Sequence, residues 1–379
     1  MRSLTLAEIA DECSGSIQTG PFGSQLHASD YASSGTPVVM PQDLGDNVIL
    51  EDRVARVGRE HVNRLARHAL SQGDIVFSRR GDVGRRALVR QTNSGWLCGT
   101  GCLRIRLGID GPHDAAFVSY ALGQPSVQDW IVQHAVGATM LNLNTQILGS
   151  VPLLMPGYWK QRAIADVLGA LDDKIASNRS VRLAAARLRA ALFVETQSSG
   201  TVQPLRAILN LHYGRALPEA TRRPGDVAVV GSGGLIGGHD EKLIDGPCVV
   251  IGRKGSIGTT HWIPGDAYPI DTTFFVEPNP GIPLSYAYEV LLGADFSAMN
   301  YDSAVPGLNR DQALSMNVPV ADSASMREFE DRADLLHELV SAMVAESRTL
   351  EKLRDALLPK LMSGELRVRD AEKLVEDVV

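Results

Sequence analysis

Val76-Phe-Ser-Arg-Arg-Gly-Asp-Val-Gly84 and Val250-Ile-Gly-Arg-Lys-Gly-Ser-Ile-Gly258 follow one pattern. Two apolar residues precede a small one, then come two basic residues, Gly, any residue, a β-branched residue and Gly. The stretches lie 174 residues apart. Working outward, Leu141-Asn142 with Ile147 and Val151-Pro152 matches Leu308-Asn309 with Leu314 and Val318-Pro319, at an offset of 167. Leu188-Arg-Ala-Ala-Leu-Phe193 matches Leu353-Arg-Asp-Ala-Leu-Leu358, at an offset of 165. Three matches in one order, at similar offsets, mark an internal repeat whose period is far too long for a solenoid. The chain reads as two copies of one unit, each a globular domain followed by a helix.

The helices carry the clearest pattern. Between Trp159 and Thr196 there is no Pro and only one Gly, Gly169. Apolar residues recur at Ile164, Leu168, Leu171 and Ile175, then at Val181, Leu188 and Leu192, the three-and-four spacing of a helical stripe. The second stripe runs through Phe329, Ala333, Leu336, Val340, Met343, Leu350, Leu353 and Leu357. Ser325-Met-Arg-Glu328 has the pattern of a capping box at its start, and Gly364 is its expected stop. Each helix of about 38 residues would span about 57 Å, against about 11–12 residues for a mean globular helix. Such stripes need long partners, and each helix is the other's: an antiparallel coiled coil if a pseudo-twofold axis relates the copies. Asn178 and Arg182 interrupt the first stripe, either fixing register or breaking the seam. The expected fold is α+β: two mixed α/β domains related by pseudo-twofold symmetry and joined by two long helices. The boundaries are 1–155 for the first domain, 156–198 for the central helix and 199–322 for the second domain. The C-terminal helix takes 323–366 and a polar tail 367–379. Expected strands include Thr36–Met40, Asp74–Phe77, Leu103–Leu107, Cys248–Ile251 and Thr272–Val276, with helices at Ala115–Leu122 and Leu284–Leu292. A rod of this length would hold the two domains more than one turn of B-DNA, about 34 Å, apart.

Composition narrows the function classes. The 379 residues suffice for two or three domains. No apolar run reaches the roughly 18–20 residues of a membrane span. The N-terminal stretch, with Glu8, Asp11 and Glu12, has no apolar signal core, so the expected location is cytoplasmic. Cys13, Cys98, Cys102 and Cys248 read as buried thiols and not as a metal site. The net charge of −7 argues against general coating of nucleic acid. Residues 1–155 nevertheless hold thirteen arginines and no lysine. Arginine forks onto phosphates and guanine edges, although a GC-rich genome would give the same bias.

Several stretches together resemble the DNA-specificity subunits of type I restriction-modification systems. Ile17-Gln-Thr-Gly-Pro-Phe-Gly-Ser-Gln-Leu26, Asp30-Tyr31 and Gly35-Thr-Pro-Val38 resemble the opening of a target recognition domain. So do Tyr213-Gly-Arg-Ala-Leu-Pro218, Gly231-Ser-Gly-Gly-Leu-Ile-Gly237, Gly252–Gly258 and Ile270-Asp-Thr-Thr-Phe-Phe275. Gln161-Arg-Ala-Ile-Ala-Asp-Val-Leu168 and Leu171-Asp-Asp-Lys-Ile175 resemble the family's spacer helix, and Leu357-Leu-Pro-Lys-Leu-Met-Ser-Gly-Glu-Leu366 its C-terminal helix. Lys160 stands where the family often has Glu. The resemblance covers nearly the whole chain. It implies a non-catalytic subunit that binds double-stranded DNA at a bipartite, non-palindromic site. It also implies two methyltransferase subunits and restriction/translocase subunits as partners, which would bind S-adenosylmethionine, ATP and Mg; this chain would bind none of them. A methylation-only or related defence system is an alternative setting. A structural coiled-coil adaptor without sequence-specific binding is a rival of another class.

The residues offer specific candidates. Arg79, Arg80, Arg253 and Lys254 precede a Gly that lets backbone approach a ligand, and they contact DNA or form a solvated hairpin tip. Arg85, Arg86 and Arg90 would extend the basic surface. Gln18, Thr19 and Ser24 are polar donors in a Gly-rich loop, suited to base edges or phosphates or else structural turn residues, and Ser256 lies in the second basic turn. Asn142, Asn144, Asn309 and Arg310 either read bases, Asn on adenine and Arg on guanine, or cap helices. Ile164, Leu168, Leu171, Ile175, Leu188, Leu336, Val340, Met343, Leu350, Leu353 and Leu357 are the expected helix interface. No catalytic or metal-binding residues are expected. Pro-Pro, GxxxxGK[ST], HExxH and GxSxG are absent, which argues against a methyltransferase, a motor or a hydrolase.

Overall fold

The computed structural model describes residues 1–108, 110–137, 139–197, 200–296, 307–376 and 378. The chain folds into two compact units, Met1–Ile175 with Thr349–Val379, and Ala176–Arg348. The expected boundary at 198–199 lies outside the described residues.

In the first unit, β1 (Arg2–Thr5) pairs antiparallel with β11 (Pro152–Met155), and helix α1 (Leu6–Glu12) follows under a Thr5–Glu8 capping box. The main sheet has the order β2 (Ser16–Thr19), β10 (Cys102–Arg106), β7 (Ile75–Ser78), β8 (Arg86–Leu88) and β5 (Asp46–Asn47). All four residues of β7 are buried, so this strand reads as a continuous apolar run and not as an alternation. A second sheet, β3 (Tyr31–Ala32), β6 (Ala55–Val57), β4 (Thr36–Val39) and β9 (Leu97–Cys98), is inserted around the first. Helices α2 (Arg59–Arg64), α3 (Ala115–Leu122), α4 (Pro125–His134) and α5 (Thr145–Gly149) complete the domain. One core joins Ile9, Phe77, Leu103 and Phe117 to Ile164, Leu168 and Leu171 of the long helix α6 (Tyr158–Thr196). The same core takes Leu350, Leu357 and Leu361 from α9 (Ser323–Ser363).

The second unit repeats this frame. Here β12 (Thr201–Pro204) pairs with β20 (Asn317–Val320). The main sheet has the order β13 (Leu209–Tyr213), β19 (Thr273–Pro278), β16 (Cys248–Gly252) and β17 (Thr260–Ile263), antiparallel throughout. The insertion differs: a three-stranded sheet of β15 (Gly234–His239), β14 (Val227–Gly231) and β18 (Ala267–Pro269). Helices α7 (Leu284–Gly293) and α8 (Arg310–Leu314) take the places of α3 and α5. Leu211, Ile251, Phe274, Tyr286, Leu192 of α6 and Phe329 and Ala333 of α9 share one core.

Within each unit the long helices run antiparallel. In the first, Arg354 Nη1 donates to Asp172 Oδ1 at 2.8 Å, and Lys160 lies beside Gly364. In the second, Asn178 Nδ2 donates to Glu346 Oε2 at 2.9 Å, while Phe193 meets Phe329 with ring centroids 5.9 Å apart. Ile164, Leu171, Asn178, Ala185 and Leu192, seven residues apart, are all buried, as a coiled-coil seam requires. Leu336, Val340, Met343 and Leu353 are half-buried along the matching seam.

Several expectations need correction. Leu188 is 49 % exposed and lies beside the seam. Arg189 takes that turn instead, because Glu289 neutralises its buried guanidinium. Asn178 does not break the seam; it is buried and hydrogen-bonded within it. Helix α9 is capped by Asp322, whose carboxylate accepts from the Ala324 and Ser325 amides, and not by Ser325. The tail 367–379 contains helix α10 (Val368–Glu376), and Ala371 and Val375 of that helix join the first core.

Candidate nucleic-acid interface

The basic turns grow out of the central strands. After β7 the chain turns at Arg79-Arg80-Gly81, and after β16 at Arg253-Lys254-Gly255. Gly81 has φ +78° and Gly255 φ +80°, a left-handed conformation that strains any residue with a Cβ. The repeated Gly is therefore a backbone requirement.

Each turn is stitched to the Leu-Asn segment of its own unit. Leu143 N donates to Arg79 O at 2.8 Å, Gly81 N to Leu141 O at 3.0 Å, and Arg80 bridges to Asn142. In the second unit Leu308 N donates to Arg253 O at 2.8 Å, and Lys254 bridges to Gly307. These bonds make Leu143-Asn144, and not Leu141-Asn142, the counterpart of Leu308-Asn309. The helices that follow and the strands Pro152–Met155 and Asn317–Val320 keep the same 165-residue offset. The two Leu-Asn pairs at 141–144 hide this two-residue slip in the sequence.

Each first arginine is laid against an aromatic ring. Arg79 lies 5.7 Å from the centroid of Phe22, and Arg253 lies 5.2 Å from Tyr213 and 5.8 Å from Phe274. Phe22 is 53 % and Tyr213 56 % exposed, so each presents its ring beside the guanidinium. The Nε atoms of Arg79 and Arg253 are buried and have no hydrogen-bond partner among the described residues. Arg80 and Lys254, one residue on, are exposed. In the second unit Tyr213, Arg253, Lys254 and Gly307–Asp311 line a cavity of about 490 Å³. Both aromatics stood in motif stretches singled out above. An aromatic residue next to glycine, Phe22-Gly23 and Tyr213-Gly214, is the signal the sequence holds, and it does not tell which rings are exposed.

The other candidates divide. Asn144 Oδ1 accepts from Ile147 N at 2.7 Å, and Asn309 Oδ1 accepts from Asp311 N and Gln312 N, so both cap helices. Asn142 Oδ1 is buried and has no partner among the described residues. Arg310 Nη2 donates to Asn210 Oδ1 at 2.9 Å on the cavity wall. Gln18 Oε1 accepts from Arg104 Nη2 at 2.7 Å, and Thr19 pairs in register with Leu103. Ser24 and Ser256 are exposed. Arg85 keeps its side chain 38 % exposed beside Asp82. Arg86 departs from expectation: it is 6 % exposed, its Nε donates to Ser119 O at 2.6 Å, and Nη1 meets Asp46 at 3.3 Å. Arg90 pairs with Asp173 of α6. Arg86 and Arg90 thus neutralise carboxylates within the first unit instead of extending the basic surface. All four cysteines are free and buried. Among the described residues no helix is long and apolar enough to cross a membrane.

The fold has a solved counterpart. The S subunit of the type I restriction-modification system from M. genitalium superimposes with a TM-score of 0.59 at 20 % identity, covering 95 % of each chain. The HsdS subunit from Thermoanaerobacter tengcongensis aligns over 96 % of this chain and 97 % of its own, at 15 % identity and a TM-score of 0.37. No protein-family model and no curated protein matches the chain. At these identities the first likeness is one of fold: this chain has the two-domain, paired-helix fold of that S subunit.

Proposed function

We propose that this chain is the non-catalytic DNA-specificity subunit of a type I restriction-modification complex. Each unit reads one half of a bipartite, non-palindromic site in double-stranded DNA. The observation that carries the reading is the doubled site: both units hold an aromatic-backed arginine and an exposed cation on a glycine turn. A single such turn is an ordinary hairpin tip. Two of them, on matching frames with dissimilar insertions, suit two different half-sites on one kind of backbone. Phosphate contacts position a protein on DNA and base contacts specify the sequence, and the site has residues for the first task. Methyl transfer, ATP-driven translocation and cleavage then fall to two methyltransferase subunits and to restriction subunits. Those partners would hold S-adenosylmethionine, ATP and Mg, and the setting would be cytoplasmic.

The test is co-expression with a type I methyltransferase subunit, followed by mapping of methylated adenines. The expected result is a two-part, non-palindromic motif that disappears when this chain is omitted. A continuous palindrome, or methylation independent of this chain, would refute the proposal.

A further inference from the structure

We propose that the β14–β15 hairpin is the base-reading element of the second unit, a two-stranded ribbon that enters the major groove with Leu235 and Ile236 against the base edges. The inference rests on the DNA-reading role proposed above and assigns it to named residues. The frame strands and basic turns recur in both units, so they suit what every duplex shares, the sugar–phosphate backbone. Discrimination between half-sites then belongs to what the units do not share. In the second unit the insertion is the sheet built on this hairpin.

The hairpin is fastened to the basic site. Its turn, Ser232-Gly233, is tied to the basic turn because Ser232 Oγ donates to the Lys254 carbonyl and Thr259 Oγ1 donates to the Ser232 carbonyl. His261 Nε2 lies 3.1 Å from that same carbonyl. A strand leaving this turn therefore starts beside Arg253 and Lys254.

The outer strand is shaped to touch something. Val229 faces Gly237 while Val230 faces Leu235, so Ile236 is the extra residue of a β-bulge. Neighbouring strand residues ordinarily point to opposite faces. The bulge instead leaves both Leu235, 54 % exposed, and Ile236, 42 % exposed, at the surface. Gly237 and Gly238 follow, both exposed; Gly237 leaves room for close approach of another molecule, while Gly238 makes room for the carbonyl of Gly225 in its own unit. β15 is one of the two edge strands of its sheet. Edge strands are ordinarily blunted by charge, proline or cover, and this one carries two apolar side chains and bare glycine backbone. One cation stands at the bulge itself. Arg222 Nη1 donates to the Ile236 carbonyl at 3.4 Å, while the nearby carboxylates of Asp240 and Glu241 are both engaged by Arg223. The major groove admits a two-stranded β-ribbon, and apolar side chains there meet thymine methyl groups.

The experiment selects duplexes from a randomised library with the full chain and with its Leu235→Ala/Ile236→Ala variant. Wild type should enrich two separated motifs. The variant should keep one motif and lose about tenfold in preference at one or two positions of the other. Its affinity for unselected duplex and its salt dependence should stay within twofold of wild type. Retention of both motifs, or loss of both, would overturn the assignment. A wild-type chain that selects no motif would overturn the reading role and the hairpin assignment together.

Discussion

At the scale of single residues, the site separates into side chains that hold the turn and side chains that face outward. Asn144 and Asn309 resolve as helix caps. Asn309→Ala should therefore lower the stability of the second unit by about 1 kcal/mol and leave the selected DNA sequence unchanged, checked by thermal unfolding and by library selection. Arg80 and Lys254 are the exposed cations. Arg80→Ala and Lys254→Ala should each weaken binding to all duplexes alike and reduce the salt slope by about one. Titrations at several ionic strengths check this, and unchanged affinity in both variants removes the site. Arg86 marks the limit of reading a basic run in sequence. It opens β8 and is buried there, while Arg85, just before the strand, keeps its side chain 38 % exposed.

At the scale of elements, the helix seam carries more charge than its apolar spacing suggested. Arg354 bonds Asp172 and Asp46 in the first unit, and Tyr120 Oη donates to Asp172 Oδ2 at 2.6 Å. Removing one partner of such a buried set leaves an uncompensated charge. In the second unit His337 is 4 % exposed and stacked on Trp262 with centroids 3.7 Å apart. Burial, aided by the Arg189 charge, pushes its pKa from the usual 6.5 down to about 3. Between those values the unfolded chain binds a proton that the folded chain excludes. Stability from this group is thus complete above pH 6.5 and is lost as pH falls toward 3. His337→Phe should flatten the dependence of the second unit's unfolding midpoint on pH across that window; an identical slope would show that other groups set it.

At the scale of the whole molecule, the chain passes between its units inside α6, at 175–176, and inside α9, at 348–349. The first unit is therefore assembled from both ends of the sequence. On the proposed function the two helices also set the spacing of the half-sites. Four residues inserted after Ile175 and four after Arg348 lengthen each helix by about 6 Å. The methylated site should then gain about two base pairs of spacer at 3.4 Å each. An unchanged spacer would separate the helices from site spacing.

The sequence by itself determined the repeat, the two long helices, the central strands and the glycine turns. Each depends on local chemistry: a β-branched apolar run, a three-and-four stripe, a backbone conformation that favours Gly. It pointed to Arg79, Arg80, Arg253 and Lys254 because a basic pair before Gly recurs at one place in each copy. Only the tertiary structure decided which arginines face outward, which asparagines are caps, and that Leu143-Asn144 is the true partner of Leu308-Asn309. It also supplied the aromatic beneath each arginine. Those outcomes rest on pairing between segments far apart in the chain. Strand register and the burial of charge are settled by which partner arrives, and no local pattern encodes that.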